Sequence, residues 1–93
     1  MYVIADIEWI NPYENYTSPT QLAAARVDEN WNIIDEFNAF IRPHRKGCCK
    51  WEHMAYTGGT SEDFMSAETA QEVFGRFKEW LNDDDIILWW HKQ

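Results

Sequence analysis

The segment from Thr69 to Trp90 constrains what this chain can fold into more than any other. Thr69-Ala70-Gln71-Glu72 matches a capping box, in which the Thr side chain takes up the backbone N–H of Glu72 and the Glu side chain takes up that of Thr69. Val73, Phe74, Phe77, Trp80 and Leu81 then recur at helical spacing, which predicts an amphipathic helix from Thr69 to Leu81. Asn82-Asp83-Asp84 closes it. Acidic groups are unfavourable at the C-terminal end of a helix dipole, so these residues are assigned to the turn that follows. Ile86-Ile87-Leu88-Trp89-Trp90 is a short continuous apolar run, the pattern of a parallel strand buried on both faces.

The first half reads as strands. Tyr2 to Trp9 is rich in aromatic and β-branched residues. Asn11 to Pro19 carries Pro, Asn and Ser and reads as a loop. Thr20 to Val27 is a second strand, Asp28-Glu29-Asn30 a turn, and Ile33 to Ile41 a third strand. In the third strand Phe37, Ala39 and Ile41 share one face, while Glu36, Asn38, Phe40 and Arg42 share the other. Connections this short give an antiparallel meander. Pro43 ends the third strand by removing a backbone donor. His44 to Met54 is expected to be irregular, Gly58-Gly59 to sit in a tight turn, and Thr60 to Asp63 to open a short helical turn with Phe64 and Met65 facing inward. A right-handed crossover through the long helix would place the last strand parallel to the first. The expected fold is therefore α/β, a mixed sheet in spatial order 3-2-1-4 with one principal helix.

Ninety-three residues make one domain at most. The composition, 45% hydrophobic with six Trp, is globular and excludes a disordered segment. No apolar run reaches the length of a membrane span, and no basic-then-apolar leader opens the chain, so a cytoplasmic protein without membrane contact is expected. The formal net charge of −8 argues against a simple nucleic-acid-binding module, which needs a basic face. The basic cluster is Arg42, His44, Arg45, Lys46 and Lys50. The charge argues less against a metal-dependent nuclease, whose carboxylates hold a cation before phosphate approaches. Cys48 and Cys49 are adjacent, which does not suit a disulfide. Their spacing to His44 and His53 also differs from the paired cysteines of structural zinc sites, so they are read as an ordinary reduced loop.

Asp6-Ile7-Glu8 lies inside the first strand. Side chains alternate along a strand, so Asp6 and Glu8 point to one face. Two carboxylates in an apolar strand are costly to bury unless a charge compensates them. A divalent cation with oxygen ligands would do so; the bland alternative is a polar strand face meeting solvent.

These features together resemble the N-terminal half of a DEDD-type 3′–5′ exonuclease domain, the proofreading branch of the ribonuclease-H-like folds. Ile4-Ala5-Asp6-Ile7-Glu8 resembles the first exonuclease motif. Thr20 to Val27 and Asp35 to Pro43 resemble the second and third strands. His53 to Thr60 sits where the family often has a His-Gly-Ile-Thr sequence, and Ile87 to His91 resembles the strand that leads to the second motif. The resemblance implies a single, partial exonuclease-like domain over residues 1–93, a truncated ribonuclease-H-like fold. It implies Asp6 and Glu8 as catalytic and metal-binding residues, two of four such acids, with Mg²⁺ or Mn²⁺ as cofactor and a nucleic acid 3′ end as partner. It implies Ile7, Trp9, His53, Thr57 and Gly58 as substrate contacts. The second and third motifs, with the remaining acids and the general base, are not among these residues, so this chain alone is expected to be inactive. The alternative is a non-catalytic module that associates through its last strand. An apolar strand at 86–90 bearing Trp89 and Trp90 leads to an expected homo-oligomer built around it.

Overall fold

The computed structural model describes residues 1–13, 16–42 and 61–90. Among the described residues four strands form one sheet: β1 (Tyr2–Tyr13), β2 (Tyr16–Val27), β3 (Ile33–Phe40) and β4 (Ile86–Trp89), in the order β3-β2-β1-β4. Helices α1 (Ser61–Met65) and α2 (Ala70–Trp80) lie between β3 and β4 in the chain. β1, β2 and β3 pair antiparallel, and β4 runs parallel to β1 with Tyr2 opposite Ile86 and Ala5 opposite Trp89. The expected order and the parallel crossover are both present. No helix among the described residues is long and apolar enough to cross a membrane.

The capping box forms as read. Thr69 Oγ1 accepts the Glu72 amide at 3.2 Å, and Glu72 Oε1 accepts the Thr69 amide at 3.1 Å. α2 lays Val73 and Phe77 on the sheet, where they bury with Val3, Ala5, Leu22, Ala24, Phe37 and Ile41. Phe74, Trp80 and Leu81 flank that core. Each such large apolar side chain contributes about 1.5–3 kcal/mol on full burial. In α1, Phe64 is buried and its ring lies 4.9 Å from that of Phe40. Asp28 forms the turn between β2 and β3 by accepting the amides of Asn30 and Asn32, which lets Trp31 take a left-handed φ of 64°.

Two expectations are corrected. Of the loop expected from Asn11 to Pro19, the described residues are strand: β1 continues to Tyr13 and β2 starts at Tyr16. The ladder shifts register between Glu8 and Trp9 and again between Ile10 and Tyr13, and Pro19 pairs with Trp9 at the first shift. A residue without an amide hydrogen is accepted in a sheet at such an irregularity, so loop-forming residues are carried inside a long hairpin. Nor is β4 buried on both faces in this chain. Ile86, Leu88 and Trp89 are exposed; Ile87 packs against the core cluster, and the Trp89 ring reaches it only at Phe77, 6.3 Å away. The strand lies at the sheet edge, where α2 covers one face and the other is open. The loop over His44 to Met54, the Gly58-Gly59 turn, Pro43 and the Cys48-Cys49 pair lie outside the described residues.

Candidate active site on the open face of the sheet

The core assigns the two faces of β1. Val3 and Ala5 are fully buried under α2 and Ile7 packs against the same cluster, so odd positions face the helix. Even positions face away. Tyr2 and Ile4 are exposed there, and Asp6 and Glu8 are half-buried. The two carboxylates thus share the face opposite α2, on a strand with neighbours on both sides. The register shift follows immediately, between Glu8 and Trp9. Bulges of this kind re-aim side chains beside functional sites. Thr20 donates its hydroxyl to the Glu8 carbonyl at 3.3 Å, tying β2 to the strand at that point.

The pairing ladders place what lies beside these acids. Asp6 is opposite Ala23, and Ala23 opposite Asn38; Ile4 is opposite Ala25, and Ala25 opposite Glu36. Two alanines in the middle strand leave room above the sheet. A hollow of about 360 Å³ opens there, lined by Ile4, Asp6, Ala23, Ala25, Glu36, Asn38 and Trp90 among others. Gln21, opposite Glu8, donates to the Asn38 side chain at 2.9 Å. Glu36 and Asn38 were readable as one face of β3 from their alternation. Their sharing of Asp6's hollow needed the register, which no local pattern gives.

The remaining candidates separate. Ile7 turns its side chain into the core, away from the carboxylates. Trp9 is half exposed, beyond the bulge. His53, Thr57 and Gly58 lie outside the described residues. Among the described residues, no group of three or more His, Cys, Asp or Glu is gathered closely enough to hold a metal ion. The donor set on this face is nevertheless the right kind for a hard cation: two carboxylates on one strand face, half-buried, with open space beside Asp6. Among the described residues no cationic side chain forms an ion pair with Asp6. Arg26, in β2, is on the opposite face and is held by Asp85 and Asp35.

The family model for exonuclease, the RNase T family, matches residues 3–89. The chain belongs to this exonuclease family. DNA polymerase III PolC-type of Bacillus subtilis is 33% identical over 86 residues, covering 92% of this chain and 6% of the polymerase. The corresponding polymerase of Bacillus cereus is 31% identical over the same span. Among solved structures, a full-length 3′-exonuclease superposes with a TM-score of 0.81 at 19% identity, over 95% of this chain and 44% of that one. The nuclease domain of 3′hExo, described as a DEDDh family member bound to rAMP, gives 0.77 at 20% identity, over 94% and 50%. Exonuclease I of E. coli in complex with an oligonucleotide gives 0.69 at 19% identity, over 96% and 20%. The chain therefore spans a small part of the polymerases and half or less of these nucleases. The fold is ribonuclease-H-like, and the resemblance to the N-terminal part of a DEDD-type exonuclease domain holds across nearly all of the chain.

Proposed function

We propose that these residues carry the first acidic motif of a metal-dependent 3′–5′ exonuclease acting on DNA or RNA. The observation that carries this reading is the placement of Asp6 and Glu8 on one open face of a central strand, in a chain whose exonuclease family match runs from residue 3 to 89. Asp6 and Glu8 would hold Mg²⁺ or Mn²⁺. When bound, such a cation supplies a Lewis acid that activates water and neutralises charge on a phosphodiester. The chain's own part is to present carboxylate oxygens on a rigid strand, with the bulge after Glu8 and the Thr20 hydroxyl fixing where that strand turns. Of the substrate contacts, Trp9 offers an exposed ring for stacking on a base. His53, Thr57 and Gly58 rest on sequence resemblance alone. Cytoplasmic location belongs to the same proposal and rests on the sequence reading.

The 93 residues contain two of the acids and no matching second or third motif, so a polypeptide of this length is expected to leave 5′-labelled single-stranded DNA and RNA intact. Robust shortening from the 3′ end, abolished by Asp6→Ala, would show that the machinery is already complete. Two carboxylates leave most positions of an octahedral site to water, so calorimetry with Mn²⁺ is expected to give weak binding. Tight binding that survives both Asp6→Ala and Glu8→Ala would move the site elsewhere.

A second reading has its own observation. Trp89 and Trp90 are 52% and 66% exposed on and beside the edge strand β4. An exposed edge bearing large apolar side chains invites pairing. In that reading the domain is a non-catalytic module that forms a homo-oligomer through residues 86–90.

A further inference from the structure

We propose that the buried Arg26–Asp85 pair is a register lock: it sets which residue of β4 lies beside Ala5, and so beside the peptide that carries Asp6. Its bearing on catalysis rests on the proposed role of Asp6, but the lock itself does not.

A strand's register is specified where one of its faces is buried, and is weakly specified where its side chains are mostly exposed. β4 is four residues long; Ile87 packs against the core, and the half-exposed Trp89 ring lies 6.3 Å from that of Phe77. With Ile86, Leu88 and Trp89 exposed, these side chains specify its position weakly. The register is nonetheless defined from end to end, with the Ile86 amide donating to the Met1 carbonyl at 3.0 Å and the Trp90 amide to the Ala5 carbonyl at 2.7 Å.

The missing specification sits at the residue before the strand. The Asp85 side chain is 1% exposed, and its Oδ2 accepts Arg26 Nε at 3.2 Å, Arg26 Nη2 at 3.1 Å and the Asn82 amide at 2.8 Å. Arg26 also donates to the Trp80 carbonyl at the end of α2, and its guanidinium lies 4.0 Å from the centroid of the Trp80 ring. Asp35 of β3 takes Nη1 at 3.3 Å. Arg26 stands opposite Val3, and Val3 opposite Ile87, so one row across three strands is anchored at the point where β4 begins. Slipping β4 by one residue would pull Asp85 off Arg26 and leave the buried guanidinium with the exposed Asp35 as its remaining acidic partner among the described residues, a costly loss for a buried charge. Lysine would not substitute: the contacts use a planar fork that bonds in several directions while stacking on an aromatic ring.

The test is NMR of the 93-residue protein with Arg26→Met. Cross-strand contacts between Tyr2 and Ile86 and between Ile4 and Leu88 are expected to weaken at least about twofold, with resonance doubling confined to β4 and the β1 residues it pairs. Away from the substituted position, the β2–β3 ladder from Gln21–Phe40 to Ala24–Phe37 is expected to keep its wild-type shifts, which a merely destabilised fold would not do. Should Arg26→Met not fold, Arg26→Lys takes its place with the same expectation. A wild-type β4 in the folded variant, or broadening spread evenly over the sheet, overturns the lock. Mn²⁺ titration of the wild-type protein separates the two proposals: the lock can hold where Mn²⁺ leaves Asp6 untouched, and then only the proposed function fails.

Discussion

Replacing Phe77 by Ala tests the assignment of the two sheet faces. Phe77 is 5% exposed, and its ring lies 5.4 Å from Phe37 of β3, 5.9 Å from Trp80 and 6.3 Å from Trp89 of β4. It therefore joins the helix to both outer strands. Truncating a buried Phe to Ala costs about 3–5 kcal/mol, from lost transfer energy and the cavity left behind. The unfolding entropy is about 2.1 cal/mol/K per residue, or about 0.2 kcal/mol/K for this chain, so a loss of about 4 kcal/mol lowers the thermal midpoint by about 20 °C. That is a large share of the roughly 5–15 kcal/mol that holds such a domain together. Trp90→Ala, on the open face and 66% exposed, is expected to change stability by less than about 0.5 kcal/mol. Thermal and urea unfolding followed by circular dichroism give both values. A Phe77→Ala loss no larger than that of Trp90→Ala would place the core on the wrong face of the sheet, and the location of Asp6 and Glu8 would fall with it.

Acid is expected to destabilise the protein in part through Asp85. Burial pushes its carboxyl up, but the Asn82 amide, the hydrogen bonds and charge of Arg26 and the N-terminal ammonium together outweigh this and hold it below the usual carboxylate range. A depressed carboxyl contributes stability above its unfolded pKa, about 3.9, and loses it as pH falls through the lower folded value. Unfolding midpoints should therefore drop steeply in that range, and less steeply in Asp85→Asn. Glu72 follows the same sign, held low first by the Thr69 amide and then by the Thr69 hydroxyl, so Thr69→Ala should raise its carboxyl pKa in an NMR titration and quicken exchange of the Val73 amide. If the edge strand drives association, light scattering over a concentration series should show assembly that Trp89→Ser with Trp90→Ser removes. A monomer at every concentration would end that reading.

Much of this fold was legible because its signals are local. The capping box at Thr69 and Glu72, the helical recurrence from Val73 to Leu81 and the Asp28 turn each need only a few neighbouring residues, and each formed as read. Period-two alternation likewise put Asp6 and Glu8 on one face. Three features were not legible, each because a distant partner decides it. Pro12 and Pro19 say loop by composition, but the hairpin absorbs the irregularity through bulges set by the facing strand. The apolar run at Ile86 says buried, but burial depends on what covers a face. Arg26 looks like one more residue of an alternating strand; Asp85, 59 positions away, makes it a buried ion-pair partner.

Paramagnetic broadening by Mn²⁺ in an NMR titration of the 93-residue protein tests the central claim most directly, because it detects even weak cation binding residue by residue. Broadening is predicted to centre on Asp6 and Glu8, reach the adjoining residues of the open face, spare the α2 side of the sheet, and vanish in the Asp6→Ala, Glu8→Ala double variant. Broadening that leaves Asp6 and Glu8 sharp, or that persists unchanged in the double variant, would contradict it.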